Sequence, residues 1–285
     1  MIIGNNKEAV INNIKQAIID GDLNRKVEIN DPKLTDEEQT RIINRYIKSQ
    51  HKITYKTKSK IARKILTTAT NIVNRETKIE GIENIKNIKS GAIITSNHFN
   101  PLDNTIIKKF SKKAGKRRLY IVNQITNLAM EGFIGFMMNY SDTIPISKQI
   151  GYLKKEFPHI IKELLEKKQF ILIYPEEEMW FNYKKPRTLK PGAYYLAAKN
   201  NVPIISCFVE MIELDEKDNE EFYKVKYVLH ILDPIYPDST KTVKENSTLM
   251  MEKDYNQKKE AYEKIYNKKL DYKFEDNDIA GWIKG

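Results

Sequence analysis

Apolar residues along the first quarter of the chain recur at helical spacing. From Asn6 to Asp20, Val10, Ile11, Ile14 and Ile18 fall on one face, and Gly21 stands where a left-handed residue would end the helix. Thr35-Asp36-Glu37-Glu38 has the form of a capping box, and the helix it opens carries Ile42, Ile43, Tyr46 and Ile47 on one side. Between the two lies a polar linker, Lys26 to Lys33, which contains Asp31-Pro32. A third helix is expected from Lys58 to Asn74. Its stripe is Ile61, Ile65, Ala69, Ile72 and Val73, and Lys58, Lys60, Arg63 and Lys64 crowd its first two turns. A basic amphipathic helix of this kind suits an anionic membrane surface as well as a place against its own domain.

From Thr77 the period changes. Short β-type runs are expected at Thr77–Ile82, Ala92–Thr95, Leu119–Val122, Thr143–Ile146, Phe170–Tyr174, Ile204–Val209 and Val225–Leu232. Helical stretches separate them at Leu102–Lys112, Asn127–Met138, Gln149–Lys168 (interrupted near Pro158) and Ala193–Asn200. Strands alternating with helices predict an α/β fold, a mixed sheet layered by helices. A charged segment, Thr242–Leu270, reads as an outer C-terminal helix. The change of pattern places a boundary between Ser49 and Lys58. Residues 1–54 read as a helical N-terminal appendage, and residues 55–285 as the α/β body, including the basic helix 58–74 and the C-terminal helix 242–270.

Composition narrows the function classes. The 285 residues are 40% hydrophobic and 31% charged, enough for a core and a hydrated surface. The single cysteine, Cys207, excludes an internal disulfide and a multi-Cys zinc site, and fits a reducing compartment. Cys207 lies within an apolar strand and reads as core, not as a nucleophile. The first residues, Met1 to Lys7, lack the apolar run of a signal peptide. No stretch reaches the roughly 18 consecutive apolar residues of a spanning helix. The net charge of +11 admits an anionic partner or a simple lysine-rich surface. The aromatic residues do not interleave with the basic ones as a nucleic-acid stacking platform would require, so no nucleic-acid partner is expected.

Two constellations carry chemistry. In Asn97-His98-Phe99-Asn100-Pro101-Leu102-Asp103, Asn100 is expected as N-cap and Pro101 as first helical residue, which leaves His98 in a strand-to-helix turn. A carboxylate five positions on, Asp103, can then hold the imidazole as a general base. Equally, Asp103 could serve only as a helix-capping carboxylate. After the apolar run Phe170–Tyr174 come Pro175 and the carboxylates Glu176, Glu177 and Glu178, at the sheet edge where α/β folds place ligands. Lys184, Lys185, Arg187 and Lys190 follow, and Gly192 opens a helix, a place for a phosphate. The apolar residues Phe133, Phe136, Met137 and Met138 suit core packing or the lining of an acyl groove.

Together these blocks resemble the glycerolipid acyltransferase family, which includes the 1-acylglycerol-3-phosphate acyltransferases. Asn97, His98 and Asp103 match its Asn-His-x-x-x-x-Asp motif. Tyr174, Pro175 and Glu176 match the start of Phe-Pro-Glu-Gly-Thr-Arg, but Glu177, Glu178 and Met179 stand where Gly, Thr and Arg would be. Lys190 and Gly192 match a Lys-x-Gly pair, and Val202, Pro203, Ile204 and Ile205 the Val-Pro-Ile-Val block. The second motif is best matched by Thr143–Lys148, with Lys148 in place of Arg. The resemblance spans Thr77 to Glu210 and implies acyl transfer from a thioester, acyl-CoA or acyl carrier protein, to a hydroxyl, with no resident cofactor or metal. It implies His98 and Asp103 as the catalytic pair, and Asn97, Glu176, Arg187, Lys190 and Gly192 at the substrate. Lys148, Glu177, Glu178, Lys184 and Lys185 become candidates for the acceptor. Because Met179 cannot bind phosphate, either a nearby cation replaces the arginine or the acceptor is a glycolipid or polyol in place of a lysophospholipid. An inactive lipid-binding relative is the remaining alternative. The expected place is the cytoplasm, peripheral on the inner face of the cell membrane.

Overall fold

The computed structural model describes residues 7–29, 32–115 and 118–283. The expectations for Met1 to Asn6 and for Asp31 in the linker lie outside these residues. Helix α1 (Glu8–Ile19) buries Val10, Ile11, Ile14 and Ile18, and Gly21 takes a φ of +70°, the left-handed value expected of it. Helix α2 (Asp36–Ser49) starts at the expected capping box. The Thr35 hydroxyl accepts from the Glu38 N–H, and the Glu38 carboxylate accepts from the Thr35 N–H.

Helix α3 (Ile53–Val73) begins five residues before the expected Lys58. Its packed face is also rotated from the apolar stripe. Ser59, Ala62 and Thr70 are buried, whereas Ile53, Ile61 and Ile72 are exposed. Small residues let α3 approach its neighbours closely, which a row of isoleucines would prevent.

The strands β1 (Lys78–Glu80), β2 (Ala92–Thr95), β3 (Leu119–Gln124), β4 (Thr143–Ile146), β5 (Phe170–Leu172), β6 (Ile204–Lys217) and β7 (Tyr223–Ile231) form one seven-stranded sheet in the order β1-β7-β6-β2-β5-β3-β4. The run from β6 to β4 is parallel; β7 pairs antiparallel with β6, and β1 lies parallel to β7. This is the mixed α/β sheet that the sequence pattern predicts. Strand β6 runs eight residues past the expected Val209, because beyond the core it continues as a two-stranded ribbon with β7. Pro145 is accommodated in β4 because β4 is an edge strand.

Alternate residues of the central strands enter two cores. Ile93, Ile171 and Ile204 meet α2, α6 (Phe157–Glu166), α7 (Gly192–Lys199) and α8 (Val243–Tyr266) on one face. Ala92, Ile94, Phe170, Leu172 and Cys207 meet α4 (Asp103–Lys113) on the other. Cys207 is fully buried and burial pushes its thiol up to about 12, as suits a core residue. Two expected helices are subdivided. The segment Asn127–Met138 is a 3₁₀ helix at Ile125–Ala129 followed by α5 (Gly132–Tyr140), and Gln149–Lys168 contains a π-helical turn at Tyr152–Glu156 before α6.

Helix α1 does not stand off from the body. Its apolar face shares a core with Trp180, Phe181, Tyr183, Phe222 and Ile279. Among the described residues no helix is long and apolar enough to cross a membrane.

Candidate active site

Strand β2 delivers Ser96, Asn97 and His98 to the carboxyl edge of the sheet. The Asn97 amide extends the strand pairing. Its Nδ2 donates to the Val209 carbonyl at 3.1 Å, and its Oδ1 accepts the Val209 N–H at 2.8 Å. A side chain thus substitutes for a peptide bond, and the chain leaves the sheet at a fixed angle just before His98.

Helix α4 starts at Asp103, two residues later than expected. Asn100 is not its N-cap. The Asn100 side chain accepts from the Leu102 N–H at 3.0 Å and makes a tight turn of its own. Asp103 caps the turn in its place. Its Oδ2 accepts from His98 Nδ1 at 2.8 Å and from the Phe99 and Asn100 N–H groups at 2.9 and 3.2 Å. Its Oδ1 accepts from the Tyr174 hydroxyl at 2.6 Å. One buried carboxylate therefore both caps the turn and holds the imidazole. With Nδ1–H donating to Asp103, the lone pair of the imidazole lies on Nε2, which has no partner among the described residues. The His98 side chain is about 21% exposed, and its ring stacks on Tyr174 at 4.0 Å. Burial, reinforced by the Asp103 charge and hydrogen bond, pushes the Tyr174 hydroxyl well above its usual range and keeps it a donor.

Past β5 the chain turns sharply. The Glu177 N–H donates to the Tyr174 carbonyl at 3.1 Å, and Glu177 takes a φ of +64°. Buried Glu176 accepts from the His98 N–H at 3.2 Å, and from the backbone N–H and Nη2 of Arg187 at 3.0 and 2.9 Å. The Arg187 guanidinium lies on the Trp180 ring at 4.6 Å. It also donates to the carbonyls of Leu23, at 3.0 Å, and Glu178. The Trp180 and Asn182 N–H groups donate to the carbonyls of His98 and Phe99 at 3.1 and 2.9 Å. The two constellations are thereby fastened side by side.

Residues 76–210 match a family model described as Acyltransferase. This stretch belongs to the glycerolipid acyltransferase family. The fold is similar to that of a 1-acyl-sn-glycerophosphate (LPA) acyltransferase from Thermotoga maritima, with a TM-score of 0.52 over 81% of this chain and 90% of that one. At 16% identity the likeness is one of fold. No curated protein sequence matches the chain.

In this acyltransferase domain the candidate substrate residues divide by what they touch. Asn97, Glu176 and Arg187 are buried and tied to the protein itself, as above. Lys185 is also buried, on Asp278 at 2.9 Å and the Lys273 carbonyl at 2.7 Å. Lys184 pairs with Glu213 and donates to the Asn277 carbonyl at 2.6 Å. None of these three cations is left to replace the missing arginine of the third motif. Glu177, Lys190 and Gly192 are exposed, and the backbone of Lys190 donates to the Pro175 carbonyl at 2.8 Å, beside the acidic turn. A Cβ placed on Gly192 would meet nothing within 4 Å, so the entry to α7 is open. Glu178 is half-buried and accepts from Gln124. Lys148 is exposed after β4, three strands away from β2.

Sequence reasoning missed two parts of the site. One is the Tyr174 hydroxyl, whose only signal was a tyrosine where the family pattern has phenylalanine. The other is the support from the N-terminal segment. Asn24 Nδ2 donates to the carbonyls of Glu176 and Thr188 at 3.2 and 2.8 Å, and Trp180 Nε1 to that of Arg25 at 2.8 Å.

Proposed function

We propose that the protein is an O-acyltransferase that moves a fatty acyl group from a thioester donor, acyl-CoA or acyl carrier protein, to a hydroxyl of a lysolipid-like acceptor. The observation that carries this reading is the His98–Asp103 pair at the sheet edge, with no partner on Nε2 among the described residues. Nε2 takes the acceptor proton as the hydroxyl oxygen attacks the thioester carbonyl, and Asp103 stabilises the imidazolium. General base catalysis of this kind contributes about 10²–10⁴-fold. Collapse of the tetrahedral intermediate breaks the carbon–sulfur bond, and the thiolate leaves with the proton from His98.

One observation favours a second reading of the acceptor. With Arg187, Lys184 and Lys185 committed internally, the third-motif turn presents Glu177, and Glu178 beside it, where the family pattern has Gly and Thr. Carboxylates accept from sugar or polyol hydroxyls and repel phosphate, so a glycolipid or polyol acceptor suits this turn better than a lysophosphatidate. The exposed Ile53, Ile61 and Ile72 of α3, with Phe133 and Ile134 of the adjacent α5, form the face that would meet a membrane surface. Vesicle co-sedimentation unchanged by Ile61→Ser with Phe133→Ser would remove that assignment.

The test is mass spectrometry of products from thioester donors with lysophosphatidate, lysoglycolipid and polyol acceptors. His98→Ala should abolish transfer and keep the circular dichroism spectrum. Unchanged product from that variant would refute the mechanism.

A further inference from the structure

At the amino edge of the sheet, opposite His98, α3 and α4 border a solvent-open cavity of about 290 Å³ with the starts of β3 and β4. With strands of 4–6 residues rising about 3.3 Å each, some 13–20 Å of sheet separates this cavity from the catalytic edge. Arg63, Lys108, Lys112 and Arg118 line it, with Asp142 the one carboxylate among the lining residues. Both arginines donate to Asp142, Arg63 at 3.2 Å. One carboxylate thus faces two guanidiniums, and neither lysine has a carboxylate partner among the described residues. The lining carries an excess of three positive charges.

The lining itself points to an anionic ligand. Thr70 also lines the cavity. Thr70 is 2% exposed, and its hydroxyl is shut off from the cavity, with no hydrogen-bond partner among the described residues. Lys108 is half-buried without an ion pair among the described residues. Burial lowers its affinity for a proton, the nearby Asp142 charge opposes that, and Arg63 and Arg118 add to the lowering. A cation held in this way raises the energy of the empty protein, and an arriving anion would relieve it. The cavity volume lies at the lower end of the roughly 300–1,000 Å³ of small-molecule sites, enough for one phosphorylated group with little attached.

The geometry points to a second binding site here, separate from the catalytic edge, for a phosphomonoester or small polyphosphate held by Lys108, Lys112 and the two arginines. The same chemistry is offered by a soluble phosphorylated compound and by a lipid head group. Helix α3, whose exposed isoleucines are on its outer side, lines the cavity with Arg63 and Thr70 on its inner side.

Pyrophosphate at constant ionic strength, read by thermal shift and calorimetry, probes the soluble source. Phosphatidylcholine vesicles containing phosphatidate, against vesicles of matched charge containing phosphatidylglycerol, probe the head group. Lys108→Met should raise the melting temperature of the unliganded protein, because a half-buried charge with no ion pair among the described residues is removed. It should also weaken binding about 10–100-fold, the loss of one charged hydrogen-bonding partner. His98→Ala should bind as wild type does. Pyrophosphate stabilisation lost in Lys108→Met supports a soluble ligand, and phosphatidate-selective vesicle binding lost in that variant supports a head group. The proposal fails if neither probe binds, if phosphatidylglycerol binds as well as phosphatidate, or if Lys108→Met binds undiminished. A failure here leaves acyl transfer at His98 untouched, since the two are read by different assays.

Discussion

Replacing Arg187 by methionine distinguishes a strut from a substrate ligand. The guanidinium and the Glu176 carboxylate are 1% and 2% exposed and 2.9 Å apart. Methionine keeps most of the volume and removes the charge. The Glu176 carboxylate would retain only the backbone N–H groups of His98 and Arg187, and the carbonyls of Leu23 and Glu178 would lose their donor. Removing one partner of a buried pair typically costs about 3–5 kcal/mol. That is a large share of the about 5–15 kcal/mol by which domains are stable. At roughly 2–4 °C per kcal/mol for large domains, the melting temperature should fall on the order of 10 °C. Glu176→Gln combined with Arg187→Met should lose less than Arg187→Met alone, since no buried charge is then left unpaired. Differential scanning calorimetry and urea melts of the four proteins supply the cycle. Turnover should fall with stability, because Glu176 also holds the His98 peptide. An Arg187→Met protein that melts as wild type does but shows a raised KM for a phosphate-bearing acceptor would refute the strut reading.

Three further outcomes follow from the site and core. Tyr174→Phe keeps the stack on His98 and removes a donor to Asp103, leaving more negative charge facing the imidazole. Turnover should fall about 10-fold, the equivalent of one hydrogen bond to a charged group, with the circular dichroism spectrum retained, and an unchanged kcat would count against the coupling. At Glu177, whose φ of +64° suits glycine, Glu177→Gly should leave stability equal or up to about 1 kcal/mol higher, while Glu177→Val, branched at Cβ, should lower it. Equal urea midpoints for the two variants would contradict that backbone reading. Alkali should destabilise the fold. Burial pushes Cys207 and Tyr120 up to about 12 and raises Tyr46, Tyr174 and Tyr194 well above their usual range. The unfolded chain therefore releases protons first, and the stability present below pH ~9 should decline from there and more steeply above pH ~10. Urea midpoints at pH 8 and pH 10.5 that coincide would refute it.

Local pattern was a good guide wherever one physical cause dominated. The capping box at Thr35 and Glu38 needs only its own four residues, and the left-handed turn at Gly21 needs only a missing Cβ. Strand β4 was found to the residue, and β2 likewise, because a buried parallel strand reads as an unbroken apolar run. Prediction slipped where neighbours compete. Asn100 has the credentials of an N-cap, but its amide closes a turn while Asp103 takes the free N–H groups. In α3 the apolar stripe and the packed face differ, because close helix packing selects Ser59, Ala62 and Thr70. The length of β6 was hidden because its last residues, Glu213 to Lys217, are mostly charged and largely exposed.

The sequence by itself determined the α/β layering, the order of the motif blocks and the pairing of His98 with Asp103, since all of these are carried by spacing within short segments or by blocks in register. Which charges face solvent was decided by the tertiary structure alone. Arg187, Lys185 and Lys184 read as a basic loop ready for phosphate. The fold turns each of them onto a partner remote in sequence or across the loop: Glu176 and Leu23, Asp278 and Lys273, Glu213 and Asn277. Likewise Arg63, Lys108, Lys112 and Arg118 are scattered over three segments and gain a common purpose only when α3 and α4 border the starts of β3 and β4. A charge's availability depends on desolvation and on partners distant along the chain, and neither is written in local sequence.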